Sequence, residues 1–301
     1  MAGPAGLTMS TAFVLTGGGS LGAVQVGMLL ALRDCKIEPD LLVGTSVGAV
    51  NAAYLAGPGS TRARLEALVG LWQRMRRQDI FAPDPLRWLG AARGTQPSLF
   101  AGTGLERLLQ SNLGYDDLDD ARVPVEVTAT DLVTGQGIVM GTGAAVSAVR
   151  ASAAVPGLLP PVVRQGRTLV DGAIGELDVL AHTAAHGVTD IYLLPAGYPC
   201  AGAGPTTALG SVLTALSLLL HRQLMAQVRG YDGGARLHVL PPLCPLSVSP
   251  ADFSQTTALV ARAHESARRW LRSASSRPRG DAGVLALHDH DGLRAREGTS
   301  A

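Results

Sequence analysis

Residues 41–56 read Leu-Leu-Val-Gly-Thr-Ser-Val-Gly-Ala-Val-Asn-Ala-Ala-Tyr-Leu-Ala. Three apolar residues, 41–43, make a strand, residues 44–48 set two glycines around Ser46 in a tight turn, and the small apolar residues 49–56 continue as a helix. The same order stands just upstream: an apolar strand over 12–16, a turn at 17–22 and an apolar helix over 23–35, with residues 37–40 as the connector. Two consecutive strand–turn–helix units imply parallel pairing, because each crossover helix returns the chain to the same end of the sheet. Both glycine turns then fall at one edge of that sheet.

Outward from this core the pattern loosens. A helical repeat runs over 62–77 through Leu65, Leu68, Leu71, Trp72 and Met75, and residues 83–97, rich in Pro, Gly and Arg around Trp88, read as a cap or lid. Residues 124–130 alternate as a strand, 131–137 resemble a hairpin turn and 138–140 return as its partner. Residues 150–161 read as a buried helix broken by Pro156, and 167–170 as a strand ending at Asp171. Further strands are expected over 191–195 and 237–240, and an Arg-rich amphipathic helix over 257–271. Beyond Ser273 the composition turns to Ser, Arg, Gly and Asp without period, which reads as disorder. The expected organisation is an amino-terminal tail at 1–11, one folded domain at 12–272 and a tail at 273–301, with no internal repeat.

Composition narrows the function classes. A chain of 301 residues that is 47% hydrophobic buries a large core. A net charge of +1 supplies no field for nucleic acid, although the positive residues are nearly all Arg and Lys36 is the only lysine. Cys35, Cys200 and Cys244 form neither a disulfide framework nor a CxxC metal spacing, which fits a reducing, cytoplasmic setting. The first ten residues carry no charged side chain and lead into only a short apolar run, so they do not read as a signal peptide. Residues 206–220 are about half to three quarters of a membrane-spanning length and meet His221 and Arg222 at once, so a core or interface helix is expected. The late run His288, Asp289, His290, Asp291 reads as a solvated segment; neither a metal nor a cofactor is expected.

Three features carry chemistry. Gly44-Thr45-Ser46-Val47-Gly48 matches GxSxG between a strand and a helix, the setting in which this motif makes a nucleophile elbow, although a plain structural turn uses the same letters. Gly17-Gly18-Gly19-Ser20-Leu21-Gly22 follows a strand and opens a helix, so its amides face outward without side chains to shield them. Such a loop stabilises an oxyanion or, as GxGxxG, a dinucleotide pyrophosphate. The dinucleotide alternative needs an acid at the end of the next strand, where Gly44-Thr45-Ser46 stands instead, and Asp40 lies at the wrong end. A serine nucleophile also needs a base. Every histidine lies at or beyond His182, and His182, His186, His221 and His238 sit on no clear strand-end loop. Asp171 ends its strand and precedes the turn Gly172-Ala173, which suits a base, a helix cap or an Asp-Gly turn.

In this order, a GGGxxG loop, then GTSVG, then a distant Asp-Gly pair, the chain resembles the patatin-like phospholipase family from about residue 12 to 271. The stretches Thr130-Asp131-Leu132-Val133-Thr134-Gly135 and Ala151-Ser152-Ala153-Ala154-Val155-Pro156 also resemble bacterial members. The resemblance implies a three-layer α/β/α fold with a mainly parallel central sheet. It further implies a carboxylic ester hydrolase of lipids, working through an acyl-enzyme and a Ser46–Asp171 dyad without histidine. On the same basis Gly17, Gly18, Gly19, Ser20 and Gly22 form the oxyanion hole, and Gly44 and Gly48 the elbow. Asp171 is then expected to be desolvated, to lift its proton affinity. Two departures stand out: Leu21 where many members carry Arg or Lys, and Ala173 where many read DGG. Two alternatives remain, a histidine-triad α/β-hydrolase, whose nucleophile normally follows more than two strands, and a catalytically silent lipid binder, which Leu21 favours. Leu86, Trp88 and Leu89, near Arg87 and Arg93, either touch a lipid surface peripherally or pack on the protein's own core.

Overall fold

The computed structural model describes residues 10–201, 208–273 and 282–287. In chain order the elements are β1 (Thr11–Leu15), a 3-10 turn (Gly19–Leu21), α1 (Gly22–Asp34), β2 (Leu41–Thr45), α2 (Val47–Ala56), α3 (Thr61–Arg74), α4 (Arg77–Ile80), α5 (Pro85–Ala92) and α6 (Thr103–Asn112). They continue with β3 (Val125–Asp131), β4 (Gly137–Met140), α7 (Ala145–Ser152), β5 (Val162–Arg164), β6 (Arg167–Asp171) and α8 (Val179–Ala185). The last are β7 (Asp190–Leu194), α9 (Ala208–Gly230), β8 (Arg236–Val239) and α10 (Thr256–Ser273).

The strands form one sheet in the order β5-β6-β3-β2-β1-β7-β8, with β4 also paired to β3. From β3 to β8 the pairing is parallel. The flank made by β4, β5 and β6 is antiparallel. Strand alternation sorts the side chains into two cores. Phe13, Leu15 and Leu42 point into the larger one, with α1, α2, α3 and α10. Ala12, Val14, Leu41 and Val43 point the other way, onto α8 and α9 through Leu180, Met225 and Val228. The result is the three-layer α/β arrangement, mostly parallel at its centre.

One detail of pairing positions the candidate site. Residues 127–128 of β3 pair with both β2 and β4, and residues 129–130 with both β4 and β6. A strand has two edges, so β4 takes one and β2 and β6 share the other. Parallel β2 climbs that edge until Thr45 lies opposite Thr128, and antiparallel β6 descends it until Asp171 lies opposite Ala129. The carboxyl ends of β2 and β6 thus meet head to head, one step apart along β3.

Helix starts follow local chemistry. Ser60 caps α3 by accepting the Ala63 amide at 3.2 Å, and Asp178 caps α8 by accepting those of Leu180 and Ala181 at 3.0 and 2.9 Å. In α10, Leu259, Val260, Ala263, Ala267 and Trp270 are buried at helical spacing against α1.

One expectation needs correction, and others gain detail. The buried helix over 150–161 is instead α7, which ends at Ser152, followed by turns through Pro156 and the short strand β5; an apolar run with a late proline cannot show where its helix stops. The cap segment 83–97 contains the helix α5, opened by Asp84, which accepts the Arg87 amide at 3.0 Å, with Pro85 in the first turn. Residues 208–230 form a single 23-residue helix that runs on past His221 and Arg222, and no helix among the described residues is long and apolar enough to cross a membrane. Of the expected carboxyl-terminal tail, residues 282–285 form a 3-10 turn whose Leu285 is buried, with its carbonyl 2.7 Å from His221 Nε2. Residues 1–9, 274–281 and 288–301, including the run at 288–291, lie outside the described residues.

The first turn of α2 packs directly on the end of β1. A Cβ at Gly48 would stand 2.2 Å from the Leu15 carbonyl oxygen. Backbone, unlike a flexible side chain, has little room to yield. Gly48→Ala is expected to destabilise the chain by about 2 kcal/mol or more, read as a lower thermal or urea midpoint; an unchanged midpoint would contradict this packing.

Candidate active site

Ser46 stands at the junction of β2 and α2 with φ 56° and ψ −123°, a left-handed conformation that an L-residue holds only under constraint. Its carbonyl accepts the Ala49 amide at 2.9 Å, and its own amide donates to Ser152 Oγ at 2.9 Å. Gly44 tolerates the tight turn because a Cβ there would come within 2.5 Å of Ala49 Cα. The amino terminus of α2 lies at Ser46, so its dipole favours negative charge there.

Ser46 Oγ donates to Asp171 Oδ2 at 2.5 Å. Asp171 is 3% exposed, and burial pushes its carboxyl up to about 6, opposed by the Ser46 hydroxyl and the Ala173 amide, which donates to Oδ1 at 3.0 Å. Its backbone is held on every side. The Asp171 amide donates to the Ala154 carbonyl at 3.0 Å and its carbonyl accepts Thr130 Oγ1 at 2.7 Å. Ser152 touches both partners: its hydroxyl takes the Ser46 amide and its carbonyl takes the Gly172 amide at 3.2 Å. No role for Ser152 was legible from its letters, although it lies in the small-residue segment 151–156.

The glycine loop lies against Ser46; a Cβ on Gly17 would be 3.2 Å from Ser46 Cβ and 3.8 Å from its Oγ. The amides of Gly17, Gly18 and Gly19 donate to no acceptor among the described residues. Those of Ser20 and Gly22 do. Ser20 donates to the Pro250 carbonyl at 2.8 Å, and Gly22 to the carbonyls of Gly19 and Ser20. The expected five-residue set therefore reduces to three available donors, because the 3-10 turn and the 249–250 segment consume the other two. Ser20 Oγ adds a bond to the Ser249 carbonyl at 3.0 Å, anchoring the loop.

Beneath the loop runs a buried polar chain that the sequence reading did not single out. Trp72 Nε1 donates to Asn51 Oδ1 at 2.8 Å, and Asn51 Nδ2 donates to Gln25 Oε1 at 2.9 Å and to the Gly22 carbonyl at 3.1 Å. Gln25 Nε2 reaches the carbonyls of Thr16 and Leu194 at 2.7 and 3.1 Å. Polar Gln25 and Asn51 inside apolar helices were the available signal.

Ser46, Asp171 and the three glycines open into one cleft of about 870 Å³, its mouth included. Its walls are mostly apolar, among them Phe81, Phe100, Leu158, Ile174, Leu216 and Leu220, and among the described residues Arg77 is the cationic side chain lining it. Leu21 is 0% exposed in the larger core, so its side chain leaves the cleft altogether. Ala173 keeps the amide that supports Asp171. Among the described residues the histidines lie elsewhere. His182 and His186 sit on Glu126 at 2.7 and 3.2 Å, and His238 lies on Asp190 at 2.7 Å. His221 packs against Tyr198, ring centroids 4.4 Å apart. Glu126 with His182 and His186 is the metal-capable group among the described residues; the sequence reading missed it because 56 residues separate Glu126 from His182.

The family model for patatin-like phospholipase matches residues 13–181, more than half of the chain. The patatin-like phospholipase domain-containing protein 7 of Mus musculus is 30% identical over 166 residues, 54% of this chain and 12% of that protein. Lysophospholipase nte1 of Aspergillus terreus is 29% identical over 190 residues, 62% of this chain and 12% of the relative. The chain thus spans about an eighth of the length of these relatives. Among solved structures, VipD from Legionella pneumophila aligns over 89% of this chain and 67% of its own at 14% identity, with a TM-score of 0.44. The elbow at Ser46, the glycine loop before it and the extent of the family match make this chain a member of the patatin-like phospholipase family.

Proposed function

We propose that the chain is a serine acyl hydrolase of lipid esters, with Ser46 as nucleophile and Asp171 as its only base. The observation that carries this reading is the 2.5 Å hydrogen bond from Ser46 Oγ to a buried carboxylate, beside three glycine amides that donate to no acceptor among the described residues. Asp171 takes the Ser46 proton as Oγ attacks the ester carbonyl carbon. The developing oxyanion accepts from the amides of Gly17, Gly18 and Gly19. Collapse expels the alcohol with the proton from Asp171 and leaves an acyl group on Ser46. Asp171 then draws a proton from water as the water oxygen attacks the acyl carbon, and it returns that proton to Ser46 Oγ as the carboxylic acid departs. The apolar wall suits an acyl chain, Arg77 suits an anionic headgroup, and the relative named a lysophospholipase supports a single-chain lipid as substrate. Peripheral contact with a lipid surface through α5 belongs to the same reading, since Leu86, Trp88 and Leu89 are 82%, 41% and 47% exposed.

Hydrolysis of a p-nitrophenyl ester is expected to fall about a thousandfold or more in Ser46→Ala and in Asp171→Asn, with the double variant no worse than either. A fluorophosphonate probe labels wild type and not Ser46→Ala. Activity that survives in either single variant overturns the dyad.

Asp171 must be ionised to act as base, and burial raises its proton affinity. The rate constant kcat/KM is therefore expected to rise with pH through about 6 and to be lost below it. A profile flat down to pH 4 would remove Asp171 from the base role.

Trp88→Ala is expected to weaken flotation of the full chain with liposomes while leaving hydrolysis of the soluble ester intact. Flotation equal to wild type counts against α5 as the contact.

A further inference from the structure

His182 and His186 stand four residues apart at the end of α8, the spacing that sets two side chains on one helix face, one turn from each other. Glu126 approaches them from β3. Its neighbours Val125 and Val127 point into the larger core, so alternation along the strand sends Glu126 out on the opposite face, where α8 packs. Its two carboxylate oxygens divide between the rings, Oε2 at 2.7 Å from His182 Nε2 and Oε1 at 3.2 Å from His186 Nε2. The two rings meet edge to face with centroids 5.2 Å apart, and one ligand atom from each residue falls within 4.8 Å of the others.

Hydrogen bonds alone account for part of this geometry. The donor set adds more: two imidazole nitrogens and one carboxylate oxygen form the three-ligand complement that borderline divalent ions accept, with a fourth position left for water. Metal–ligand bonds of about 2.0–2.1 Å in a tetrahedron separate ligand atoms by about 3.3 Å. To reach that separation the 2.7 Å contact of His182 with Oε2 opens by about 0.6 Å, and the 3.2 Å contact of His186 with Oε1 by about 0.1 Å. The side chains are 17–30% exposed, which gives an ion and its water a way in. We propose that Glu126, His182 and His186 form a binding site for a divalent ion of the zinc class, which ties α8 to β3 on the far side of the sheet from α1 and α2. Hydrolysis at Ser46 does not use it, so the two readings stand or fall separately.

The test uses the full chain stripped with a chelator, then titrated with Co2+, whose visible absorption reports histidine coordination, and with Zn2+ in competition with a chromogenic chelator. The informative variant is His182→Gln/His186→Gln, because glutamine amides still donate to Glu126 but do not replace imidazole as ligands. Wild type is expected to bind one equivalent of Zn2+ and to gain thermal stability with it. The double variant is expected to keep the metal-free midpoint and to lose at least about tenfold in Zn2+ affinity. His186→Ala, which removes one of the two imidazole ligands, is expected to lose the cobalt spectrum. Wild type that takes up neither ion, or a double variant that binds both as wild type does, overturns the proposal.

Discussion

The fold depends on one unequal pairing. β3 runs three residues further than its parallel partner β2, and the edge left bare at 129–131 is filled by β6 coming from the opposite direction. The spacing between Ser46 and Asp171 is consequently set by the repeat of a β-ladder and not by the reach of two loops. Residues 125 positions apart in sequence are brought into a 2.5 Å contact by strands whose own hydrogen bonds already fix them. Such a scaffold holds a short contact without requiring the surrounding surface to be rigid.

Two further devices hold that contact. Ser152 joins the backbones on either side of it, so the turn after α7 keeps the strained backbone of Ser46 and the Asp171 turn in one frame. The chain from Trp72 through Asn51 to Gln25 does the same for the glycine loop, linking α3, α2 and α1 to the carbonyls of Thr16 and Leu194. Every hydrogen bond in it is buried or part-buried, where leaving a donor unpaired costs about 1–3 kcal/mol. The loop, the elbow and the sheet edge are in this way parts of a single polar framework.

Much of this was legible in the first sixty residues, because glycine punctuation and a change from strand to helix character occur twice in close order. The position of Asp171 at a strand end was readable for the same reason. Residues 150–161 were not, since an apolar run with one proline is consistent with several stopping points for a helix. β5, with three residues, carries too little pattern to be seen. The closure of the Ser20 and Gly22 amides depends on Pro250 and on a 3-10 turn, neither of which local composition announces. Glu126 joins its histidines only through the layering of α8 on the sheet, a relation that exists in space and not in spacing.

The proposed role of one buried carboxylate as the base has a further consequence. In the proposed chemistry substrate reaches Asp171 from the cleft that this residue shares with Ser46 and the glycine amides. The departing alcohol and the incoming water must therefore occupy the same place in turn. In that proposed chemistry catalysis becomes a matter of traffic: the acyl group waits on Ser46 until its former partner has cleared the entrance, and a second alcohol that arrives before water takes the acyl group in its stead.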